Sequence, residues 1–213
     1  MALSVADIRT EYKKNALSED SVADHPIDQF DCWFKEALNS EVMEVNAMTL
    51  ATASSDGIPT ARIVLLKNYS KKGFVFFTNY NSGKGQQLES NPRAALVFFW
   101  KELERQVRIT GTVEKISPAE SDEYFYSRPL GSRIGAIISP QSHVIPSREI
   151  LEQKYTELSA LDESQIKRPE HWGGFLVKPL TIEFWQGRPN RLHDRIRYSL
   201  KEEGGWKKER LAP

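Results

Sequence analysis

The sequence is poor in cysteine and in long hydrophobic runs, and it has no excess charge of either sign. The single cysteine, Cys32, excludes an intramolecular disulfide and a cysteine-rich zinc site. The longest apolar run, residues 94–100, is far shorter than the roughly 18 residues of a membrane span, and the N-terminus lacks the apolar core of a signal peptide. Lys and Arg number 29 and balance 29 Asp and Glu, which argues against a general polyanion binder. We therefore expect a soluble cytoplasmic protein that binds neither membranes nor nucleic acid.

Common nucleotide and metal motifs are also missing. Gly83-Lys84 resembles the end of a phosphate-binding P-loop, but Gly85 stands where the motif requires Ser or Thr. No G-x-G-x-x-G sequence follows a strand, so nothing supports a Rossmann dinucleotide site. The four histidines lack the spacing of metal ligands, and we expect no metal site. Cys32 lies within an apolar helical stripe, where we expect it to be a packed core residue rather than a nucleophile.

Hydrophobic periodicity predicts helices at the start of the chain and strands in its middle. Residues 27–38 carry an apolar stripe at helical spacing. Residues 1–25 are predicted to be a mobile helix and linker, and residues 26–213 a single domain. From Ala47 to Ile116 five apolar segments with tight connections predict an antiparallel barrel or sandwich rather than a doubly wound sheet.

The last third of the sequence mixes helices and strands. Ser117 is an N-cap signal for a helix that runs to Pro129, and residues 148–161 form a second amphipathic pattern. Residues 181–187 and 204–213 are predicted to be further strands. The predicted fold class is therefore α+β, built around an antiparallel barrel.

Cations are placed unusually along the predicted barrel. Arg62 and Lys67 bracket a strongly apolar strand, and Lys84 starts a short predicted helix whose N-terminal N–H groups could hold a phosphate. Strict strand alternation would put Arg62 and Lys67 on opposite faces, so a common ligand requires a bulge or a site that wraps around the strand end.

Two further groups of residues suit anions. One group has a spacing of four residues: Tyr124, Arg128 and Ser132. Their hydroxyls and guanidinium could bind a second phosphate. A solvated helix face explains Tyr124 and Arg128 equally well. Residues 188–201 contain five Lys and Arg against Asp194 alone. Because apolar and aromatic residues interleave with these charges, they indicate one wall of an anion pocket.

Residues 182–186 (IEFWQ) and 191–195 (RLHDR) resemble the signature of the pyridoxamine 5'-phosphate oxidase family. Further matching blocks, in family order, are residues 62–67, 103–106, 124–125 with 127–129, 141–142, 172–175 and 210–213. The resemblance implies a mainly β, α+β fold, the FMN-binding split β-barrel with flanking helices, and a homodimer with FMN at the interface. It also implies oxidation of pyridoxamine or pyridoxine 5'-phosphate to pyridoxal 5'-phosphate, with O2 reduced to H2O2.

The resemblance assigns roles to individual residues. It implies that FMN is bound by Arg62, Ile63, Val64, Leu65, Leu66, Lys67, Phe77, Thr78, Gly83, Lys84, Gln106, Gln141, Ser142, Trp185 and Arg195. It implies that substrate is bound by Arg9, Tyr12, Lys67, Tyr124, Arg128, Ser132, Arg191, Leu192 and His193. Among these, Lys67, Tyr124, Arg128 and Ser132 would hold the substrate phosphate, and residues 9–12 would form a flap over the substrate. Arg191 and His193 would be the catalytic residues, lying over the pyridine ring.

Two positions depart from the family pattern. Gly83 stands where the family usually has Arg, and Phe77 where Tyr is usual. A charge-assisted hydrogen bond contributes roughly 1.5–3 kcal/mol, so the missing arginine should weaken FMN binding by about one to two decades.

Three other functions remain open at this point. The first is a related split-barrel flavin reductase, which would lack the block at residues 191–195. The second is a nucleic-acid-binding module, with which the zero net charge conflicts. A non-catalytic carrier of FMN or pyridoxal phosphate would release no peroxide. We favour the oxidase.

Overall fold

The computed structural model describes residues 11–213, so the expectations for Arg9 and for the start of the predicted N-terminal helix lie outside the described residues. Within these residues the strands are β1 (Ala47–Ala53), β2 (Pro59–Leu65), β3 (Asn68–Ser70), β4 (Gly73–Asn79), β5 (Arg93–Trp100), β6 (Arg105–Lys115), β7 (Trp172–Gln186), β8 (Asp194–Leu200) and β9 (Trp206–Arg210). The α-helices are α1 (Pro26–Leu38), α2 (Gly83–Ser90), α3 (Pro118–Ser127), α4 (Leu130–Ile138) and α5 (Glu149–Ser159).

The strands form a sheet in the order β2-β1-β5-β6-β7-β4-β3, and β8 pairs with β7 and with β9. The pairs β3–β4, β4–β7, β7–β8 and β8–β9 are antiparallel. An antiparallel sheet accompanied by helices confirms the α+β class. Among the described residues, no helix is long and apolar enough to cross a bilayer.

The chain divides into two units. Unit one contains the residues up to Thr49 together with Ala95–Thr110 and Pro179–Pro213, and unit two contains Leu50–Ala94 and Gly111–Lys178. Four strands, β1, β5, β6 and β7, run from one unit into the other.

In unit one, helix α1 supplies much of the core. It begins with Pro26, which fits the first turn of a helix because its missing N–H would have no intrahelical partner. Phe30 and Trp33 are buried, and their rings lie 5.2 Å from those of Phe98 and Phe184, respectively. These contacts confirm the helix expected from the apolar stripe.

Cys32 is exposed, and the prediction that it packs in the core was wrong. It directly precedes the buried Trp33, and consecutive residues of an α-helix point about 100° apart. The face that buries Phe30 and Trp33 therefore turns Cys32 toward the surface.

Residues 11–25 form turns and irregular structure that is hydrogen-bonded to the rest of unit one. The backbone N–H groups of Lys13 and Lys14 donate to the carboxylate of Glu104, at 2.8 and 3.0 Å. Glu104 is buried, and its backbone carbonyl accepts the N–H of Gly187 at 2.7 Å. One residue thus joins the N-terminal segment to the end of β7.

In unit two, helices α2 and α3 begin at serine caps. The Ser82 hydroxyl accepts the N–H of Gly85, and Ser117 forms a reciprocal capping box with Glu120. Helix α3 confirms the prediction, whereas α4 was missed. The α4 sequence contains Gly131 and Gly135 and several β-branched residues, all of low helix propensity.

The first half of β7 was also missed because Gly173 and Gly174 suggest a turn. The structure explains them by close packing in unit two. A Cβ at Gly173 would lie 2.2 Å from the Tyr80 hydroxyl oxygen, and one at Gly174 would lie 2.4 Å from a side-chain carbon of Ile116. Glycine is therefore required by the neighbours of the strand and not by a turn.

Candidate active site

Unit two contains an open cleft of about 940 Å³. The predicted site residues that line it are Arg62, Ile63, Val64, Leu65, Lys67, Phe77, Thr78, Gly83, Lys84, Tyr124, Arg128, Ser132, Gln141 and Ser142. The lining includes four Lys and Arg side chains, and no Asp or Glu is found among its residues in the described chain. A cleft of this charge is suited to an anionic ligand.

Lys84 projects among neutral oxygen acceptors. Its Nζ donates to Gln141 Oε1 at 2.9 Å, to Thr78 Oγ1 at 3.0 Å and to Ser82 Oγ at 3.3 Å. Burial, together with the nearby positive charge of Arg62, lowers the pKa of Lys84 to about 8. Two cations held close together in this way favour a ligand that brings negative charge.

The start of helix α2 lies beside the loop that carries Ser142. A Cβ placed on Gly83 would lie 3.8 Å from the Ser142 hydroxyl oxygen, which is an ordinary van der Waals distance. Gly83 has no positive φ, so its backbone does not require glycine. The position therefore accepts a Cβ, the first side-chain atom of the arginine that the family usually carries there.

Arg62 and Lys67 line the same cleft, which strict alternation did not predict. Strand β2 ends at Leu65, so Lys67 lies beyond the strand, where its backbone N–H donates to Val75 at 2.9 Å. The intervening Leu66 is buried and is not part of the cleft lining. The site wraps around the strand end.

The Arg128 side of the cleft is aromatic. The rings of Phe77 and Tyr124 stack at 3.9 Å between centroids, and Lys67 Nζ lies 5.9 Å from the centre of the Tyr124 ring. The guanidinium carbon of Arg128 lies 4.6 Å from the centre of the Trp172 ring. Burial lowers the pKa of Arg128, and the influence of Tyr124 opposes that shift.

Among the described residues, Arg128 Nη1, Arg133 Nε and Arg197 Nε are buried without a hydrogen-bond partner, and of these three arginines only Arg128 lines the cleft. A buried donor without an acceptor is costly, and native structures rarely leave one unexplained. A ligand phosphate would supply the missing acceptor. The described lining of the cleft offers cations and hydroxyls and no carboxylate. These hydrogen-bond donors fit phosphorylated ligands such as FMN.

A second group of predicted residues clusters in unit one. The Trp185 and His193 rings lie 4.6 Å apart, and the Tyr12 ring lies 5.7 Å from Trp185 and 6.0 Å from His193. His193 Nδ1 accepts the backbone N–H of Arg188 at 3.1 Å, which assigns the proton of the neutral ring to Nε2. Burial and the charge of Arg191 lower the pKa of His193, so this ring is neutral at pH 7.

The remaining predicted residues of unit one have different environments. Arg195 forms a two-pronged ion pair with the buried Glu183, at 2.9 and 3.2 Å, rather than standing open to a ligand. Arg191 and Leu192 are exposed, and Gln106 is half-buried in β6. Arg191 has a φ of 61°, a left-handed conformation that costs energy in a residue other than glycine and is frequent at functional sites.

Sequence reasoning missed several residues around the cleft. Trp172 lines it beneath Arg128. Thr52 and Thr60 accept hydrogen bonds from the guanidinium of Arg62, and both donate to Gln87. A lone tryptophan, two threonines and a glutamine carry no motif of their own. Their contribution depends on tertiary contacts.

The chain is similar to known proteins over nearly its whole length. Residues 34–162 match the family model described as pyridoxamine 5'-phosphate oxidase, and residues 172–213 match the pyridoxine 5'-phosphate oxidase C-terminal dimerisation region. The chain is 56% identical to a pyridoxine/pyridoxamine 5'-phosphate oxidase of Trichormus variabilis, with 100% of both chains covered. It is 57% identical to one of Salinibacter ruber, covering 98% of this chain and 99% of the relative.

Two solved structures have the same split-barrel fold. PhzG from Burkholderia lata, in complex with tetrahydrophenazine-1-carboxylic acid, has a TM-score of 0.86 and 28% identity, covering 93% of this chain and 98% of its own. A pyridoxamine 5'-phosphate oxidase-related, FMN-binding protein from Nostoc punctiforme has a TM-score of 0.71 and 20% identity, with 91% and 100% covered. FMN is the cofactor supported by the family match. Together with the full-length relatives, these matches establish that the chain belongs to the pyridoxamine 5'-phosphate oxidase family of oxidoreductases.

Proposed function

We propose that the protein oxidises pyridoxamine 5'-phosphate or pyridoxine 5'-phosphate to pyridoxal 5'-phosphate, reducing O2 to H2O2, and so serves vitamin B6 synthesis and salvage. The observation that carries the proposal is the cationic cleft of unit two, with its buried and unpartnered Arg128 nitrogen. A homodimer with FMN at its interface is part of the same proposal, supported by the match to a dimerisation region.

The FMN phosphate is proposed to bind beside Arg62 and Lys84. The charge of Arg62 helps to lower the pKa of Lys84, so the two cations lie close together, and among the described residues both donate to neutral acceptors. Ser142 and the start of α2 border the same place. Bound FMN supplies the electron acceptor for the substrate and passes electrons to O2.

The substrate phosphate is proposed to bind to Lys67, Tyr124, Arg128 and Ser132. Arg128 offers a planar guanidinium, already fixed over Trp172, and a buried N–H that lacks an acceptor. Anchoring a rigid planar substrate by its phosphate orients its ring for reaction, which is the main contribution that these side chains can make.

Arg191 and His193 are proposed to contact the substrate ring. His193 is neutral at pH 7 and carries its proton on Nε2, so it can donate a hydrogen bond to the substrate without adding charge. Arg191 remains cationic and can stack on the ring or pair with its hydroxyl. Tyr12 packs against His193 and Trp185 and is proposed to shield this region from water.

The proposal is tested by incubating the FMN-loaded protein with each substrate in air and measuring pyridoxal 5'-phosphate and peroxide together. Equal amounts of the two products are expected, with ammonia released from the amine substrate only. A protein that binds FMN and either substrate but releases no peroxide would instead be a carrier. Turnover of neither phosphate ester would direct attention to other substrates of split-barrel flavoproteins.

A further inference from the structure

The guanidinium of Arg62 is held from behind by three oxygen atoms. Nη1 donates to the backbone carbonyl of Leu50 at 3.2 Å and to Thr52 Oγ1 at 2.6 Å, and Nη2 donates to Thr60 Oγ1 at 2.5 Å. In the described part of the chain these bonds use three of the five guanidinium N–H groups, which leaves two for a ligand. The direction in which those two point depends on the two threonines.

Both threonine hydroxyls are themselves oriented by one side chain. Thr52 Oγ1 and Thr60 Oγ1 each donate to Gln87 Oε1, at 2.5 and 2.7 Å. A hydroxyl has a single proton, so donating it to Gln87 turns the oxygen lone pairs toward Arg62. The amide oxygen of Gln87 therefore sets the acceptor geometry that Arg62 meets.

Gln87 lies on the helix that also supplies the second cation. Lys84 and Gln87 are three residues apart on α2, a spacing that places them on the same helix face. The helix thus provides one cation directly, through Lys84, and aligns the other through Gln87. Lys84 and Gln87 both lie in unit two, as does Arg62, whose charge acts on Lys84.

We propose that Gln87 is a positioning residue for the cofactor phosphate, acting on Arg62 through the hydroxyls of Thr52 and Thr60. Gln87 does not line the cleft, so its effect on a bound phosphate would be exerted through Arg62. Its removal leaves the charge of Arg62 in place but frees the guanidinium to rotate away from the phosphate. The inference rests on the proposed binding of the FMN phosphate at Arg62 and Lys84.

The experiment compares FMN with riboflavin, which has the same ring and ribityl chain but no phosphate. Gln87→Met keeps the length and helix propensity of the side chain and removes the acceptor. Dissociation constants of both flavins are measured by fluorescence quenching on the full-length chain freed of flavin. Gln86→Met is the matched control, because Gln86 is exposed on the same helix and its side-chain amide donates to the Asn81 carbonyl.

Gln87→Met is expected to weaken FMN about tenfold and to leave riboflavin within about twofold, whereas Gln86→Met changes neither. Thr60→Val removes the more exposed of the two hydroxyls and should give the same phosphate-selective loss, which keeps the test available if Gln87→Met folds poorly. In an Arg62→Ala background, Gln87→Met should have no further effect, since its action runs through Arg62.

Equal weakening of FMN and riboflavin would overturn the inference, because it would indicate a general structural role for Gln87. Unchanged FMN affinity in both Gln87→Met and Thr60→Val would overturn it as well. If Arg62→Ala weakens FMN selectively and these two variants do not, only the inference fails. If wild-type protein binds both flavins equally and Arg62→Ala affects neither, the proposed phosphate site fails.

Discussion

Arg128 lies over Trp172, with its guanidinium carbon 4.6 Å from the ring centre, while its Nη1 nitrogen is buried and has no hydrogen-bond partner among the described residues. The contact with the ring restricts the guanidinium, and the unpartnered nitrogen marks where an acceptor is missing. This combination of a fixed orientation and an unmet donor is what a phosphate-binding arginine requires before its ligand arrives.

Arg128→Lys is expected to raise the KM for pyridoxamine 5'-phosphate by roughly ten- to hundredfold, with a smaller change in kcat. Lysine keeps the charge but loses the planar guanidinium that lies over Trp172 and the buried Nη1 donor, and a charge-assisted hydrogen bond contributes roughly 1.5–3 kcal/mol. Steady-state kinetics with FMN in excess measure the effect, and Arg148→Lys, at an exposed position on the surface, is the control. A KM within twofold of wild type would remove Arg128 from the substrate site.

The affinity for FMN is expected to fall as pH rises above about 8. Burial and Arg62 lower the pKa of Lys84 to about 8, so in the ligand-free protein this side chain loses its proton above that pH. The FMN phosphate binds protonated Lys84 more tightly. The dissociation constant of FMN should therefore change little between about pH 7 and 7.5 and then increase, with a slope that approaches tenfold per pH unit. Riboflavin should show no such slope, and Lys84→Met should abolish it for FMN. A pH-independent FMN constant up to pH 9.5 would contradict this assignment.

Gly83→Arg is expected to tighten FMN binding by about one decade or more. The substitution restores the cation that the family usually has, and an added Cβ meets Ser142 only at an ordinary 3.8 Å. Gly83→Ala is the matched control, since it adds the Cβ without the charge and should change the dissociation constant less than about threefold. An FMN constant that stays the same or rises in Gly83→Arg would count against this phosphate site.

Gly187→Ala is expected to raise the substrate KM several-fold and leave FMN affinity unchanged. The new Cβ would lie 2.7 Å from a ring carbon of Tyr12, and displacing that ring separates it from Trp185 and His193. Tyr12→Ala should have a similar effect, and the double variant should add little, because both changes act on the same contact. Additive effects would show that Gly187 acts independently of Tyr12.

Arg191→Ala is expected to keep FMN bound and to slow flavin reduction by substrate severely, because the proposed partner of Arg191 is the substrate ring. Anaerobic stopped-flow absorbance measures this step apart from the reaction with O2. Arg197→Ala is a suitable control, since Arg197 pairs with Glu209 on the neighbouring strand. Unchanged reduction kinetics in Arg191→Ala would rule out its role.

Much of the fold could be predicted from local sequence signals. Helix α3 combines a Ser117 cap, an acidic residue at Glu120 and an end before Pro129, all of which act within a few residues. Helix α4 could not be predicted in the same way, because Gly131 and Gly135 lower its intrinsic propensity. In α4 the buried Arg133, which pairs with Glu163, supplies tertiary support instead.

The candidate site was predictable only in part. Resemblance to the family brought out the residues that line the cleft, but alternation misplaced Lys67 relative to Arg62 because the end of β2 at Leu65 carries no sequence signal. The contacts of Gln87 with Thr52 and Thr60 span 35 and 27 residues, so no local pattern contains them. Long-range polar contacts of this kind become visible only when the strands and helix are placed together.

The central claim is tested most directly by titrating the FMN-loaded protein with pyridoxamine 5'-phosphate in the absence of oxygen and recording the visible spectrum. The account predicts that the flavin absorbance band bleaches and that it returns when oxygen is admitted, with peroxide formed in equal amount. A bound flavin that stays oxidised throughout the titration would contradict the proposed reaction.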